Sequence, residues 1–359
     1  MAGLLLADAL ADRCSVVLLD DPGPPDGASD RGLGIAARGG LDSPARLKHA
    51  LPDDAEPLWR WSGRAVSSLL DRSEALGVSV DRAGTWRLSL GPDEAREWEA
   101  SATLLDRWGV DSRTLTADQV AAEGLGQGFD AGLWIGGEGR VDLQALVAAL
   151  RARIDGRVAR RSGPGAVVAT LGGVRIDAPD GPLDAEMAVI ASGAGAPSAH
   201  PWFGPMILPV RLQGLRVPGA QVPGPALVRH RFEAWASDPG GLSFVGCRWA
   251  EQPEMEAGVT DDATCSPRVE AKAREFLLRH HPALDLSSAH AWSGVAAWSC
   301  DGLPLVGPLP GEPRVMALCG WGGWGLSWIG AAVDDLTAAI LGEAGGDRLP
   351  HMLRPRRMI

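Results

Sequence analysis

The stretch that decides the fold reads Asp301-Gly302-Leu303-Pro304-Leu305-Val306-Gly307-Pro308, and a second stretch, Cys319-Gly320-Trp321-Gly322-Gly323-Trp324-Gly325-Leu326-Ser327, follows it. A short strand is predicted between them at 315–318, and a final helix at about 325–341. A glycine-rich turn that leads into a helix directs backbone N–H groups and the positive end of the helix dipole at a ligand. The alternative is a turn whose glycines serve packing alone.

The amino-terminal segment is typical of the second half of a dinucleotide-binding motif. Gly3 begins a predicted helix over 2–12, and a predicted strand over 15–20 ends in Asp20. A dinucleotide fold opens with a strand, a GxGxxG turn, a helix, a second strand and an acid that accepts hydrogen bonds from ribose hydroxyls. We therefore expect a first strand and two further glycines upstream of Met1, or else a degraded paralogue. A helix followed by a strand that ends in Asp is also common without a cofactor.

A third signal is the glycine-rich segment 27–34, which places Ser29 in a loop after the predicted ribose-binding strand. A serine among glycines can contact a phosphate through its hydroxyl and the neighbouring amides. An ordinary loop would show the same composition.

The remaining elements predict two interleaved domains. We expect helices at 58–76, 92–108, 141–154 and 268–279, a mostly loop segment at 22–55, and an antiparallel sheet within 206–249. This order is not a simple βαβ ladder, and it predicts an α/β domain in three pieces with an α+β domain inserted. The predicted bounds are 1–55, 140–200 and 290–345 for the nucleotide-binding domain, 56–139 and 201–289 for the substrate domain, and 346–359 for a tail.

Composition limits the function classes. A chain of 359 residues suits two packed domains, and a net charge of -11 disfavours a nucleic-acid surface, which needs a basic face. The five cysteines show no CxxC spacing, so neither a zinc site nor a disulfide framework is indicated, and we expect a cytoplasmic protein without a transmembrane segment. The basic run 354–357 predicts a solvated carboxyl terminus.

Taken together and in this order, the segments resemble the D-amino-acid oxidase, glycine oxidase and sarcosine oxidase family of flavoproteins. The DGLPLVGP and G-x-G-G-x-G pair is the most specific match, and 155–158, 190–195 and 209–214 resemble further family segments. The resemblance implies an FAD-binding Rossmann domain in the glutathione-reductase style, truncated at its amino terminus, and a mixed-sheet substrate domain over the flavin. The FAD-binding residues that it implies are Gly3, Asp20, Ser29, Val158, Ser192, Gly193, Gly322, Gly323, Gly325, Leu326 and Ser327.

One departure from the family concerns the substrate carboxylate. Amino-acid oxidases of this family carry an Arg in a G-x-R-P segment, and it pairs with that carboxylate. Here Ala296 stands at the matching position, and the chain has no Tyr and no Asn to assist. Arg211, Arg231 or Arg248 could substitute, and Arg248 is our candidate substrate residue.

Five tryptophans lie in segments expected to face the flavin. Trp298 and Trp324 could form an aromatic wall for an apolar or cationic amine, or could fill core volume instead. We expect Trp292, Trp321 and Trp328 in the core. The remaining candidate bases, which we expect at the surface or in loops, are His230, His280 and His281.

The sequence therefore predicts an oxidoreductase with noncovalent FAD, since Cys300 and Cys319 do not match the flavin-tethering positions of the family. It would remove hydride from a carbon next to nitrogen in a small amine, with oxygen or a quinone as the acceptor, and no side chain is assigned a catalytic role. The alternative is an inactive paralogue that keeps the fold and acts as a binding or structural protein.

Overall fold

The computed structural model describes residues 1–20, 28–40, 42–163, 165–228, 232–247 and 256–359. The α-helices of this part of the chain are α1 Ala2–Leu10, α2 Ala28–Arg31, α3 Pro44–Ala50, α4 Ala55–Ala75, α5 Pro92–Arg107, α6 Ala117–Ala122, α7 Leu143–Ile154, α8 Ala196–Ala199, α9 Pro267–His280 and α10 Ile329–Ile340.

The strands are β1 Val17–Asp20, β2 Ile35–Ala36, β3 Val80–Asp81, β4 Thr85–Leu88, β5 Ser112–Thr116, β6 Ala131–Ile135, β7 Gly139–Val141, β8 Ala159–Ser162, β9 Ala166–Ala169, β10 Val174–Ala178, β11 Gly181–Ala185, β12 Ala188–Ile190, β13 Ile207–Pro218, β14 Ala226–Val228, β15 Glu233–Asp238, β16 Gly241–Val245, β17 His290–Ser299, β18 Leu305–Leu309 and β19 Glu312–Cys319.

Two small parallel pairings form one side of the molecule. β1 pairs in parallel with β8, and β12 pairs in parallel with β19, which continues antiparallel to β18. Helix α1 lies against both pairs, since a methyl group at Gly3 would stand 3.5 Å from Cβ of Ala191 and 3.8 Å from Cδ1 of Leu18. The antiparallel meander β9–β10–β11 packs next to them. A strand before Met1 stays a prediction.

The other side is one eight-stranded sheet with the order β17-β13-β16-β15-β14-β4-β6-β5. Its longest pairing joins β13 and β17 antiparallel from Ile207 opposite Ser299 to Arg216 opposite His290. Only β14 and β4 run parallel within it. The antiparallel sheet predicted over 206–249 is therefore confirmed, and strands from 85–135 and 290–299 extend it.

Helices α4 and α10 pack closely because Gly330 offers no side chain. A Cβ at Gly330 would stand 2.1 Å from the carbonyl oxygen of Ala65. Asp335 on α10 accepts from the indole of Trp61 at 2.8 Å and from the guanidinium of Arg64 at 2.7 Å. The two helices thus form a rigid layer behind the glycine-rich turn that precedes α10.

Three expectations from the sequence were wrong. The segment 22–55 contains α3, whose first turn is capped by the Ser43 hydroxyl accepting from the Arg46 amide. His280 and His281 are buried against aromatic rings rather than exposed. The carboxyl-terminal segment is packed, not solvated, because Arg357 forms a half-buried ion pair.

Across the described residues, no helix combines the length and apolar character that crossing a membrane requires.

Candidate cofactor and substrate site

A single large cavity of about 1780 Å³ lies where the two sides of the molecule meet. Typical small-molecule pockets measure roughly 300–1,000 Å³, so this one has room for a dinucleotide and a substrate together. β1 and β12 border one end of the cavity, and β17 and the glycine-rich turn border the other. The cavity therefore runs from the amino-terminal motif to the carboxyl-terminal one.

The glycine-rich turn forms one wall of the cavity. Gly320 and Gly322 have φ angles of +76° and +56°, which side-chain-bearing residues rarely adopt. The Gly322 amide donates to the carbonyl of Ala297 on β17 at 2.7 Å, which ties the turn to the sheet. Gly323 and Gly325 have ordinary φ angles, so glycine at these two positions is not required by backbone conformation.

The opposite end of the cavity carries the predicted ribose acid. Asp20 lies 3.3 Å from the guanidinium of Arg160 and 3.7 Å from that of Arg151. The Nε–H of Arg151 is buried and has no hydrogen-bond acceptor among the described residues, and Arg151 lines the cavity. A buried donor without an acceptor costs about 1–3 kcal/mol, so this end of the cavity suits a ligand rich in oxygen atoms.

The sheet face toward the turn is apolar and aromatic. A methyl group at Gly323 would stand 3.5 Å from both Leu212 and Trp298, so β13 and β17 lie directly over the turn. Alternate residues of a strand share a face, which places Trp292, Gly294, Ala296 and Trp298 together. The larger apolar lining side chains contributed by this sheet, the adjoining Phe232 and the turn are Leu212, Phe232, Val245, Trp292, Trp298, Trp321, Trp324 and Leu326, and Gln213 is the polar neighbour among them.

Charge in the cavity lining is predominantly negative. The described lining residues include one guanidinium, that of Arg151, and five carboxylates, those of Asp20, Asp30, Asp184, Glu186 and Asp262. The carboxylate of Asp262 lies 3.3 Å from Arg31. Among the described lining residues, those of β13, β17 and the glycine-rich turn carry no charged side chain.

Of the three arginines considered as carboxylate partners, only Arg211 lies among the described residues. Arg211 is held by Glu256, with Nε to Oε2 at 2.7 Å, and by the carbonyl of Thr264, and it does not line the cavity. Arg231, Arg248 and His230 lie outside the described residues. The substrate role of Arg248 therefore stays a prediction.

The two flanking cysteines differ in environment. Burial raises the pKa of the Cys319 thiol to about 12, so it stays protonated at neutral pH. Cys300 is exposed, with its sulfur 3.8 Å from that of Met358.

The cavity brings together nine of the eleven residues predicted to bind the cofactor. Ser327 is buried behind the turn and Val158 packs in the core, and neither lines the cavity. Trp298 and Trp324 line the cavity, and so do Trp292 and Trp321, which we had expected in the core. The alternation of Trp292 with Trp298 along β17 could have revealed the first of these, had that strand been predicted.

The cavity fits a dinucleotide cofactor. The first turn of α1 lines it, as do Ser29, Ser192 and Gly193 with their backbone, and the acid Asp20 stands at one end. Helix starts and glycine-rich turns present unpaired N–H groups to a pyrophosphate. Their position at the carboxyl ends of β1 and β12 is where open α/β sheets bind ligands.

Known proteins resemble the whole chain. The family model described as "FAD dependent oxidoreductase" matches residues 1–339. A curated relative, the tRNA 5-methylaminomethyl-2-thiouridine biosynthesis bifunctional protein MnmC of Polaromonas naphthalenivorans (strain CJ2), is 25% identical over 369 residues and covers 96% of this chain. The chain spans 56%, about half, of that relative's length.

Solved structures share the fold. L-proline dehydrogenase from P. horikoshii has a TM-score of 0.81 at 16% identity, with 99% of this chain and 95% of that chain covered. Glycine oxidase from Bacillus cereus ATCC 14579 has a TM-score of 0.73 at 17% identity, with coverages of 98% and 94%. Iminodiacetate oxidase from Chelativorans sp. BNC1 has a TM-score of 0.71 at 19% identity, with coverages of 99% and 96%. With a family model matching nearly its whole length, the chain belongs to the FAD-dependent oxidoreductase family.

Proposed function

We propose that this protein oxidises a C–N bond of a small amine that carries no carboxylate. The observation that carries the proposal is the uncharged aromatic face formed by β13 and β17 directly over the glycine-rich turn. The relatives named as proline dehydrogenase, glycine oxidase and iminodiacetate oxidase support chemistry at a carbon next to nitrogen.

The residues that would hold FAD are those lining the long cavity. Gly3 and Ser29 would approach the pyrophosphate, Asp20 would accept from the ribose, and the amides of the turn from Gly322 to Leu326 would approach the flavin. When bound, FAD supplies the acceptor for the hydride that leaves the substrate carbon. Backbone N–H groups of the turn suit the negative charge that the reduced cofactor gains.

The chain's own residues bind, orient and dehydrate the substrate. Trp298 and Trp324 would hold the amine in the cavity and exclude water, and their apolar ring faces suit a methylated amine in its neutral form. An amine bound in its neutral form needs no dedicated base to release its hydride, because its nitrogen lone pair assists. The product is then an iminium ion, and water hydrolyses it after release.

Selection against carboxylates follows from the lining. Ala296 lines the cavity where relatives of this type would carry an arginine. Among the described lining residues the one guanidinium is that of Arg151, which lies next to Asp20 at the other end of the cavity. A carboxylate buried without its partner costs several kcal/mol, or orders of magnitude in affinity. Glycine, sarcosine and simple D-amino acids should therefore be poor substrates.

The experiment is anaerobic bleaching of the bound flavin by a panel of amines. We expect secondary and tertiary amines with uncharged tails to bleach the absorbance near 450 nm faster than glycine, sarcosine or D-alanine do. Each amine is paired with its carboxylated analogue, so that only the carboxylate differs. Rapid bleaching by the carboxylated member of each pair, with none by its partner, would overturn the substrate class.

A second candidate is a binding protein that keeps the fold without the chemistry. The name of the curated relative also suggests tRNA as a substrate. The net charge of -11 disfavours tRNA binding, which needs a basic surface. A purified protein that is colourless and takes up no FAD would favour the binding protein. A mobility shift of tRNA by the protein would favour the tRNA substrate. We further propose that oxygen or a quinone accepts the electrons from the reduced flavin. We also propose a cytoplasmic location, which suits the five free thiols.

A further inference from the structure

Ser62 on α4 joins two distant segments through one buried hydroxyl. Its Oγ accepts a hydrogen bond from the Gly39 amide at 2.8 Å and donates one to the carbonyl of Ser327 at 3.0 Å. The side chain is fully buried. Ser327 closes the glycine-rich turn, so the hydroxyl fixes that turn against the segment 38–40.

The segment 38–40 is itself held close to the sheet. The Arg38 amide donates to Oε1 of Glu138 at 2.8 Å, and Glu138 forms a fully buried ion pair with Arg87 on β4 at 2.8 Å. A run of hydrogen bonds therefore leads from the substrate sheet through Glu138, the segment 38–40 and Ser62 to the turn at Ser327. Buried networks of this kind define one arrangement of their members, because a lost partner leaves an unsatisfied group.

The segment 38–40 is also closely packed against two aromatic rings. Gly39 and Gly40 have φ angles of +79° and +58°, and an added Cβ would stand 2.2 Å from the ring of Trp59 or of Trp328 respectively. The backbone thus lies directly on two indole rings. Because the rings hold the segment from its sides, the hydroxyl of Ser62 sets its distance from the turn.

We infer that Ser62 is a positioning residue for the flavin, which acts by fixing the turn from Gly322 to Ser327 against the segment 38–40. Ser62 does not line the cavity and so acts only through these backbone groups. The inference rests on the proposed function in one respect, namely that the turn contacts the flavin ring. It adds a determinant of the cofactor's environment that lies outside the cavity wall.

The same helix offers a matched control. Ser73 is also fully buried on α4, but its hydroxyl donates to the Leu69 carbonyl of its own helix at 2.8 Å. Ser62→Ala and Ser73→Ala remove the same atoms from the same helix at equal burial. Only the first removes a link between segments, so a difference between them reports the link and not the loss of a buried hydroxyl.

The test compares these variants as purified holoproteins. For Ser62→Ala we expect FAD to bind roughly tenfold more weakly, since two backbone groups lose their partner. We also expect a shifted flavin absorption spectrum and midpoint potential. Ser73→Ala should keep the wild-type dissociation constant, spectrum and potential, and Ser62→Thr, which retains the hydroxyl, should restore most of the wild-type values.

A readout without cofactor separates this inference from the proposed function. Amide hydrogen exchange at Gly39 should accelerate in Ser62→Ala protein freed of FAD and stay unchanged in Ser73→Ala. If Ser62→Ala matches Ser73→Ala in FAD affinity, spectrum and exchange, the inference is wrong even if amines bleach the flavin. If amines fail to bleach it while the two variants differ as expected, the proposed function fails and the positioning role stands.

Discussion

Arg357, two residues before Ile359, binds both oxygens of the Asp301 carboxylate, with Nε at 2.6 Å from one and Nη2 at 2.9 Å from the other. Nη2 also donates to the Leu303 carbonyl at 2.7 Å. The carboxyl-terminal segment therefore packs against the DG motif of Asp301 and Gly302. Burial raises the pKa of Asp301, but the guanidinium outweighs it and the pKa lies below its ordinary value.

We expect Arg357→Ala to lower the free energy of unfolding by about 1–2 kcal/mol, after allowance for the partial exposure of Asp301. Because the pKa of Asp301 is depressed in the folded state, this contribution is present near neutral pH and disappears as the pH falls through that pKa. Urea titrations at pH 7 and pH 3 measure both effects. Arg356→Ala, at the exposed neighbouring position, is the control and should change little.

His281 should make stability depend on pH between about 6.5 and 4. Burial first, and then the neighbouring His280, lower the pKa of His281 from 6.5 to about 4. The unfolded chain therefore binds a proton that the folded chain excludes, and stability falls as the pH drops through this range. At 1.36 kcal/mol per unit, the loss is on the order of 3 kcal/mol.

His281→Gln should flatten this pH dependence, which urea midpoints measured at steps from pH 8 to pH 4 would reveal. An equal slope in the wild type and the variant would show that His281 titrates as an ordinary exposed histidine.

Much of the fold followed from short-range patterns. The predicted helix over 92–108 is α5 Pro92–Arg107, and the predicted helix over 141–154 is α7 Leu143–Ile154, capped by the side chain of Asp142. Apolar periodicity and capping signals are local, so a single sequence carries them. The strand β17 was missed because HAWSGVAAWS has no strict alternation, and its pairing with β13 is a long-range property.

The segments that line the cavity could be predicted from their glycines, whereas contacts between side chains distant in sequence could not. Glycines and one acid in a fixed order pointed to segments that line the two ends of the cavity, and their cofactor role stays a prediction. The isolation of Arg211 was not predictable, since its partner Glu256 lies 45 positions away. The same reason hid the buried pair of Arg87 with Glu138 and the bridging hydroxyl of Ser62.

The pair of Arg87 with Glu138 should be costly to break on one side. Both side chains are almost fully buried, so Glu138→Gln leaves an uncompensated guanidinium and should cost about 3–5 kcal/mol. The double variant Arg87→Met with Glu138→Gln removes both charges and should recover part of that loss. Urea unfolding of the three proteins tests the pair, and a double variant no more stable than the single one would contradict it.

Gly323→Ala tests the approach of the cofactor to the turn. A methyl group there would contact Leu212 and Trp298 at an ordinary 3.5 Å, so the protein alone should tolerate it with a stability change below about 1 kcal/mol. A flavin against the turn would meet the methyl, and we expect FAD affinity to fall at least roughly tenfold. Gly172→Ala, in open space, is the control; wild-type affinity in Gly323→Ala would mean that the cofactor lies elsewhere.

Trp324 should determine how tightly amines bind. It belongs to the glycine-rich turn, lines the cavity and packs against the apolar cluster that includes Leu33 and Ala234. Trp324→Leu keeps an apolar side chain but removes the aromatic face, so the KM for amines should rise roughly fivefold to thirtyfold, equivalent to about 1–2 kcal/mol, while kcat changes less. Trp202→Leu, at a half-buried position against Phe203 outside the cavity, is the control.

The assay follows initial rates of amine oxidation with each holoprotein at a saturating concentration of the electron acceptor. If Trp324→Leu lowers kcat and leaves KM unchanged, the ring orients the reacting bond and does not bind the amine, and the aromatic-wall prediction would be wrong.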